Sequence, residues 1–215
     1  MIKKYLEKLR TARNQKMEIP QEYPFVMFEE EKELLKKHLL QTKNYLEFGT
    51  GGSILFALIN SEVNITSVDT NIGWINFIKK YRIIRNNLEK RLKIFFVDIG
   101  PTKHWGYPVD DREQAKFPDF SSKIFQLSDP SKYDLILVDG RFRVACTLSS
   151  ILHCHQNKNL TLMIHDYSIR EDYKIVEKFL EKTDEAKTLF VFKIKENTNL
   201  AEVQELYEQD KYVTD

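Results

Sequence analysis

The strongest constraint on the fold is a repeated alternation of short apolar segments with stretches of helical periodicity. The apolar segments cover residues 45–48, 64–68, 92–97, 134–138, 160–164 and 188–194. Strands that are apolar on both faces are typical of a parallel sheet buried between two layers of helices. The pattern therefore predicts an α/β fold, a three-layer sandwich around a mostly parallel sheet.

The other segments complete one large domain with an extension at each end. Helices are predicted over residues 1–14, 28–41, 53–60, 73–90, 144–153 and 170–182. The charged residues of the second helix are interpreted as its solvated face. We divide the 215 residues into an N-terminal helix and linker (1–26), a main domain (27–196) and a polar, helical tail (197–215).

Composition excludes several classes of protein. The chain carries 33 Lys and Arg against 32 Asp and Glu, a balance that argues against a dedicated nucleic-acid binder. Two cysteines, Cys146 and Cys154, are too few for a disulfide framework and indicate a reducing compartment. The sequence shows no signal-peptide run and no apolar stretch of about 20 residues that would span a membrane. We therefore expect a cytoplasmic protein without nucleic-acid or membrane partners.

Acidic residues stand at or beside the ends of the first five predicted strands: Glu47, Asp69, Asp98, Asp139 and Asp166. Parallel strands end at the same edge of a sheet, and ligands of α/β proteins bind at that edge. Buried like charges need cations, polar ligands or hydrogen-bond donors to offset their loss of hydration. This edge is therefore the predicted ligand site.

The first predicted strand leads into LEFGTGGS, which holds three of the chain's seven glycines, Gly49, Gly51 and Gly52. Glycine permits a tight turn or a close approach of the backbone to a ligand. A dinucleotide fingerprint requires a small residue where Ile54 stands. The carboxylate of Glu47 suits an ammonium group better than a pyrophosphate. The turn is therefore predicted to hold a small cationic amino-acid group.

Two further acids complete a consistent ligand. Asp69 lies 20 residues after Gly49 (69 minus 49), at the end of the second strand, where a carboxylate can accept both ribose hydroxyls. Asp98, at the end of the third strand, can accept a hydrogen bond from an adenine amine. Ammonium, ribose and adenine together describe S-adenosylmethionine. The structural alternatives are Glu47 as a paired buried acid and Asp69 as a helix cap.

Five segments resemble those of class I S-adenosylmethionine-dependent methyltransferases: LEFGTGGS, SVDTNIGWI, VDIGPTKHWGYP, DLILVDGRFRVAC and LMIHDYSIR. DIGPT and VDGRFRVAC further resemble a bacterial subgroup of that family. The resemblance, over about residues 27–194, implies a Rossmann-like domain whose sheet ends in an antiparallel hairpin. Of that hairpin, only residues 188–194 are evident as a strand. The resemblance also implies a cofactor site formed by Glu47, Gly49, Thr50, Gly51, Gly52, Ser53, Asp69, Thr70, Asp98 and Ile99.

Residues 99–132 interrupt the alternation of strands and helices and contain four of the six prolines. Connections longer than about 15 residues are usually functional, and the aromatic residues of this one argue against disorder. We predict an ordered flap over the site, with Trp105 and Tyr107 against the substrate. The alternative is packing at the sheet edge or an oligomer contact, and a homodimer is left open.

Residues after the fourth and fifth strands are the predicted catalytic groups. Asp139, His165 and Asp166 stand where the chemistry is expected, and His165 is the favoured base because its ordinary pKa lies near neutrality. Either acid would orient it or act instead. Basic and aromatic neighbours suit an anionic or sugar-type acceptor. The residues predicted to bind the acceptor here are Arg141, Arg143 and Tyr167. A structural alternative pairs Asp166 with one of the two arginines.

The resemblance also bears on metals and on activity. Some related O-methyltransferases hold a divalent metal at these two strand ends, but Tyr167 stands where an amide ligand is often found. A metal is therefore not favoured. We expect methyl transfer from S-adenosylmethionine to oxygen of a small-molecule or glycan-like acceptor. The alternatives are a non-catalytic protein that binds the cofactor or a nucleoside, and an NAD-dependent oxidoreductase, against which Ile54 argues.

Overall fold

Seven strands form one mixed sheet in the computed structural model, which describes residues 2–214. The strands are β1 (Asn44–Phe48), β2 (Asn64–Asp69), β3 (Leu92–Phe96), β4 (Leu135–Val138), β5 (Thr161–Ile164), β6 (Leu180–Ala186) and β7 (Leu189–Ile194). They lie in the order β3-β2-β1-β4-β5-β7-β6. The pairs among β1 to β5 are parallel, whereas β7 is antiparallel to both of its neighbours. The predicted α/β fold with a mostly parallel sheet is confirmed.

The direction in which the sheet grows reverses between β1 and β4. From β1 the chain adds β2 and β3 on one side, and it then returns to place β4 and β5 on the other. The strand order thus switches direction between β1 and β4, and ligands of such sheets bind at the carboxyl ends of the strands beside this switch. This carboxyl edge holds the candidate site.

Helices cover both faces of the sheet. They are α1 (Ile2–Lys16), α2 (Glu29–Leu39), α3 (Gly52–Asn60), α4 (Ile72–Ile78), α5 (Arg82–Asn87), α6 (Phe117–Ser122), α7 (Ile124–Leu127), α8 (Arg143–Cys154) and α9 (Leu200–Asp210). Helices α6 and α7 lie within the flap, and α9 forms the tail. None of these helices combines the length and the apolar character that crossing a membrane requires.

Each face of the sheet has its own apolar core because successive side chains of a strand point to opposite faces. In β1, Leu46 and Phe48 contact the core beneath the flap, α8 and α9. Tyr45 points to the other core, which α2, α3 and α5 complete. The flap is therefore an ordered part of the hydrophobic core, with Phe117 and Phe120 buried in it.

The prediction of one helix over residues 73–90 is wrong, because two short helices occupy the segment. Helix α4 ends at Ile78 and α5 begins at Arg82. Between them Tyr81 has an extended backbone (φ −71°, ψ 129°), and its side chain is buried. Tertiary burial of this aromatic ring overrides the helical propensity of the surrounding residues.

The predicted helix over residues 170–182 is also wrong. A 3-10 helix covers Glu171–Lys178 and is followed by β6, which pairs with β7 as the antiparallel hairpin that the resemblance implied. The buried residues Tyr173, Val176 and Phe179 recur every third position, the period of a 3-10 helix. Strand β6 carries mainly polar residues and a bulge between Lys182 and Asp184, so its sequence lacks the alternation that marks a strand.

A segment before the main sheet packs on the start of α3. We call residues 23–28 the strap. A Cβ atom built on Gly52 would lie 2.1 Å from the carbonyl oxygen of Pro24 and 2.5 Å from Cβ of Phe25. The ring of Phe25 lies 5.3 Å from that of Phe56, centre to centre. Only glycine at position 52 allows this contact.

We expect Gly52→Ala to destabilise the protein by about 1–3 kcal/mol, because the strap backbone must move to admit the methyl group. Gly51→Ala is the matched control, since a Cβ at Gly51 would meet no atom within 4 Å. Its stability should stay within about 0.5 kcal/mol of the wild type. Urea unfolding measures both variants. Equal stability of Gly52→Ala and the wild type would contradict the packing of the strap on α3.

Candidate active site

The glycine turn (residues 49–52) meets the turn after β4 at the carboxyl edge. Gly49 has a positive φ of 116°, and a Cβ atom on it would lie 3.2 Å from the carbonyl carbon and oxygen of Asp139. A Cβ on Gly140 would lie 3.1 Å from the carbonyl oxygen of Phe48. Two glycines thus allow two backbone turns to touch. The contact places Asp139 beside the turn that follows β1.

Gly51 and Gly52 have different surroundings although they are adjacent. The position of a Cβ on Gly51 is open space, with no atom within 4 Å, whereas Gly52 lies against the strap. A ligand can therefore approach the backbone of the turn at Gly51 but not at Gly52. This open position is where the turn can serve as a cradle.

Glu47 supports the glycine turn from below. The carboxyl group is buried, and it accepts hydrogen bonds from the hydroxyl of Tyr45 (2.5 Å) and from the hydroxyl of Ser53. Burial raises the pKa of Glu47 to about 8, although both hydroxyl bonds act to lower the pKa. The carboxyl group is thus engaged by the protein's own side chains.

Asp69 ties the tip of β2 to the glycine turn. Its Oδ2 accepts a hydrogen bond from the N–H of Thr50 (2.9 Å), and its Oδ1 accepts one from the N–H of Asn71 (2.7 Å). Burial raises the pKa of Asp69 to about 6, against the lowering effect of these backbone bonds. The N–H of Thr70 also acts to lower this pKa, and the carboxylate keeps acceptor capacity for a further donor. Beside it, Thr70 is buried at the tip of β2.

The two residues predicted at the adenine edge, Asp98 and Ile99, have different surroundings. Asp98 lies at the surface, where it accepts a hydrogen bond from the N–H of Gly100 (2.9 Å) and pairs with Lys116 (3.7 Å). The side chain of Ile99 is buried in the core with Phe117. Asp98 is therefore accessible to a ligand, whereas Ile99 offers a ligand only its backbone.

A partly buried ionic cluster lies next to the turn. His165 Nδ1 is 2.8 Å from Asp139 Oδ1, and Arg143 donates to Asp166 Oδ2 (2.9 Å) and also lies 3.5 Å from Asp139 Oδ1. Burial alone would lower the pKa of His165, but the charge and hydrogen bond of Asp139, together with the charge of Asp166, raise the pKa to about 9. These carboxylates thus favour the imidazolium form of His165.

The structure adds Glu31 to this cluster, a residue that sequence reasoning missed. Its Oε2 lies 3.3 Å from His165 Nε2, and its side chain is fully buried. Sequence reasoning assigned the acidic run of α2 to a solvated face. Glu31 nevertheless precedes Leu34 and Leu35 by three and four positions, which places it on the buried stripe of the helix. That spacing was the available signal.

Three of the predicted acceptor residues lie in or beside one loop of the flap, and two of them, Tyr107 and Arg141, contact each other. The flap folds back as a narrow loop in which the N–H of Lys103 donates to the carbonyl of Tyr107 (2.8 Å). The guanidinium of Arg141 lies 4.4 Å from the centre of the Tyr107 ring. A Cβ on Gly106 would lie 3.4 Å from Thr70 Oγ1, so the loop crosses above the tip of β2. Trp105, at the tip of the loop, is 68% exposed.

The other two predicted acceptor residues are buried. Arg143 is 3% exposed, and its guanidinium meets Asp139 and Asp166 instead of solvent. The ring of Tyr167 packs against aromatic residues of β7, and its hydroxyl donates to Glu177 (2.9 Å). These two side chains therefore act in packing and ion pairing where the sequence had placed them at the surface of the site.

Solved structures resemble this chain, although no family model and no curated protein sequence matches it. A methyltransferase-like protein from Silicibacter pomeroyi is 28% identical, with a TM-score of 0.77 over 90% of this chain and 98% of that chain. The chain has the fold of class I methyltransferases. Cofactor-bound Rv0187 from MTB (11% identity, TM-score 0.54, 90% of each chain) and a protein from Corynebacterium glutamicum (10%, 0.51, 92% of this chain and 97% of that one) share the fold. The comparisons confirm the expectation of a methyltransferase-type enzyme.

In this methyltransferase fold, the acidic tips of β4 and β5 form an ion-pair cluster. Asp139, His165 and Asp166 offer atoms within 4.8 Å of one another, a spacing that a divalent cation could use. The guanidinium of Arg143 already lies against both carboxylates. The positive charge of Arg143 would repel a metal ion placed between these carboxylates. The donor set therefore fits ion pairing better than it fits a metal.

The pH dependence of folding stability in Glu47→Gln tests whether the carboxyl group of Glu47 is buried and protonated. The native pKa of about 8 lies above the ordinary value of 4.5, so the folded protein binds more protons than the unfolded chain between these values. Wild-type stability therefore decreases as the pH rises through this window. The variant lacks this dependence, so its stability relative to the wild type should increase from about pH 5 to about pH 8, by at most about 1.4 kcal/mol per pH unit.

Thermal unfolding at several pH values measures this difference. Glu205→Gln, at an exposed position of α9, is the matched control and should follow the wild type at every pH. A constant difference between Glu47→Gln and the wild type across the window would contradict the buried, neutral carboxyl group.

Proposed function

We propose that the chain transfers a methyl group from S-adenosylmethionine to an oxygen atom of a small-molecule or glycan-like acceptor. One observation carries the proposal: a glycine turn that is open at Gly51 adjoins both Asp69 and Asp139. The first of these acids suits a ribose, and the second lies where an acceptor hydroxyl would arrive. The similarity to a methyltransferase-like protein supports the same reaction type.

The cofactor would lie across the tips of β1, β2 and β3. The backbone at Gly49, Thr50 and Gly51 forms the cradle, and Asp69 would use its remaining lone pairs for the ribose hydroxyls. Asp98, at the surface of the same edge, would accept a hydrogen bond from the adenine amine. Glu47 and Ser53 act from beneath, since their mutual hydrogen bond fixes the start of α3 under the turn.

Asp139 is the residue that we assign to the acceptor proton. S-adenosylmethionine supplies a methyl group on a positively charged sulfur, so the acceptor oxygen needs to be oriented and relieved of its proton. Asp139 Oδ1 is held by His165, whereas Oδ2 has no hydrogen-bond donor among the described residues. Oδ2 would therefore accept the hydrogen bond of the acceptor hydroxyl and take its proton.

His165 and Asp166 then act through Asp139. A doubly protonated ring cannot accept a proton, so an imidazolium at position 165 serves as a donor to Asp139 instead of as the base. Asp166 holds Arg143, which faces the same oxygen of Asp139 at 3.5 Å. Both cations thus fix the carboxylate that would meet the acceptor.

The flap would supply the acceptor site. An exposed indole at Trp105 and a guanidinium stacked on the ring of Tyr107 lie above the same edge. Aromatic faces suit a sugar or planar ring, and a guanidinium pairs with a carboxylate or phosphate. We therefore propose an acceptor that combines a ring hydroxyl with an anionic group.

Cofactor binding tests the cradle. Gly51→Ala should weaken the binding of S-adenosylhomocysteine at least about tenfold, because its methyl group fills the open position at nearly unchanged stability. Asp69→Ala should weaken binding by about 1–3 kcal/mol through the loss of hydrogen bonds to a charged acceptor. Isothermal titration calorimetry measures both variants. Wild-type affinity in both, or stabilisation of the wild type by NAD and not by S-adenosylmethionine, would contradict the proposed function.

Turnover tests Asp139. Asp139→Asn keeps the shape of the side chain but removes the proton acceptor, so we expect the formation of S-adenosylhomocysteine to decrease at least about a hundredfold. The affinity for the cofactor should change less than about threefold. The assay uses a panel of hydroxylated aromatic acids and sugar acids as acceptors. Asp172→Asn, on the exposed surface, is the control. Equal turnover of Asp139→Asn and this control would exclude the assigned role.

A further inference from the structure

A carboxylate from outside the β4 and β5 tips reaches His165 from the side opposite Asp139. Glu31 belongs to α2, near the N-terminus, and its Oε2 lies 3.3 Å from His165 Nε2. The same oxygen accepts a hydrogen bond from the N–H of Phe28 (2.8 Å). Its Oε1 accepts two bonds from Thr188, one from the N–H (2.9 Å) and one from the hydroxyl (2.7 Å). Phe28 and Thr188 thus fix the two oxygens of the carboxylate.

This arrangement restricts the protonation state of the imidazole ring. Each ring nitrogen faces a carboxylate oxygen, at 2.8 Å for Nδ1 and 3.3 Å for Nε2. A neutral ring carries one N–H and would leave one of these contacts without a proton. Only the imidazolium donates to both carboxylates.

The charges around the ring favour the same protonation state. Glu31 faces it from α2, Asp139 follows β4, Asp166 follows β5, and Arg143 approaches from α8. With a neutral ring, three carboxylates would face one guanidinium at a site in which Glu31, His165 and Arg143 are buried. A positive ring removes one unit of this excess negative charge, which is costly to keep away from water.

We propose that Glu31 is a positioning residue, which accepts the Nε2–H of His165 and thereby holds the ring as an imidazolium that clamps Asp139 Oδ1. The clamp leaves Asp139 Oδ2 directed at the acceptor. The catalytic meaning of this clamp rests on the proposed function, whereas the clamp itself does not. Because Glu31 also binds Phe28 and Thr188, the strap and the loop before β7 take part in fixing the site.

Nitrogen-15 NMR of the histidine rings tests the clamp without any assay of activity. The chain has five histidines, so the signal of His165 is assigned from its loss in His165→Gln. In the wild type, both ring nitrogens of His165 should carry protons at neutral pH. In Glu31→Gln the ring should lose its proton at a pH lower by at least about one unit, because one of its carboxylate partners has lost its charge.

Two variants separate positioning from general stability. Glu30→Gln removes the neighbouring exposed carboxylate, which pairs with Lys187 at 3.1 Å, and should leave the His165 titration unchanged. Glu31→Asp keeps the charge and should retain the doubly protonated ring at neutral pH even if the protein melts at a lower temperature. Turnover of Glu31→Gln should decrease about tenfold or more while its KM for the cofactor stays near that of the wild type.

The proposal is overturned if His165 titrates identically in the wild type and Glu31→Gln, or if Glu31→Asp loses the proton as readily as Glu31→Gln does. A shifted titration in a protein that shows no methyl transfer with any acceptor would support the clamp and count against the proposed function. An unshifted titration with active methyl transfer would support the proposed function and overturn the clamp.

Discussion

The contact between two backbone turns is the constraint on which the site depends. The turns after β1 and β4 touch at Gly49 and Gly140, where a Cβ atom would lie only 3.1–3.3 Å from the backbone of the other turn. This contact is possible because β1 and β4 are paired in parallel at the switch in strand order. It places the proposed cofactor cradle and the proposed proton acceptor, Asp139, next to each other. Without it, the glycine turn and Asp139 would lie farther apart.

The acidic side chains at the carboxyl edge of the sheet are stabilised mainly by hydrogen bonds and ion pairs within the protein. Glu47 meets two hydroxyls, Asp69 meets two backbone N–H groups, and the acids after β4 and β5 meet a histidine and an arginine. Five carboxylates at one edge therefore do not by themselves require a ligand. A ligand is indicated instead by the open backbone at Gly51 and by the acceptor capacity that Asp69 keeps. The buried Glu47 supports the glycine turn from beneath, and the exposed Asp98 offers a hydrogen-bond acceptor at the same edge.

The sequence predicted most of the sheet, because buried parallel strands are apolar throughout and end in recognisable turns. It missed β6, whose polar residues form an edge strand defined by pairing with β7. It also predicted one helix where the burial of Tyr81 divides the segment in two. At the site, local motifs identified the strand tips but not Glu31, which is distant in sequence and meets His165 only through tertiary packing. Burial of Arg143 and Tyr167 likewise depends on neighbours that no local pattern specifies.

A crystal structure with bound S-adenosylhomocysteine would show where a cofactor-derived ligand lies relative to the two touching turns. We predict the homocysteine part against the backbone of Gly51, the ribose hydroxyls at Asp69, and the sulfur on the side of the turn that faces Asp139. A ligand bound at another part of the surface, or an empty glycine turn at saturating ligand, would contradict a cofactor site at these turns.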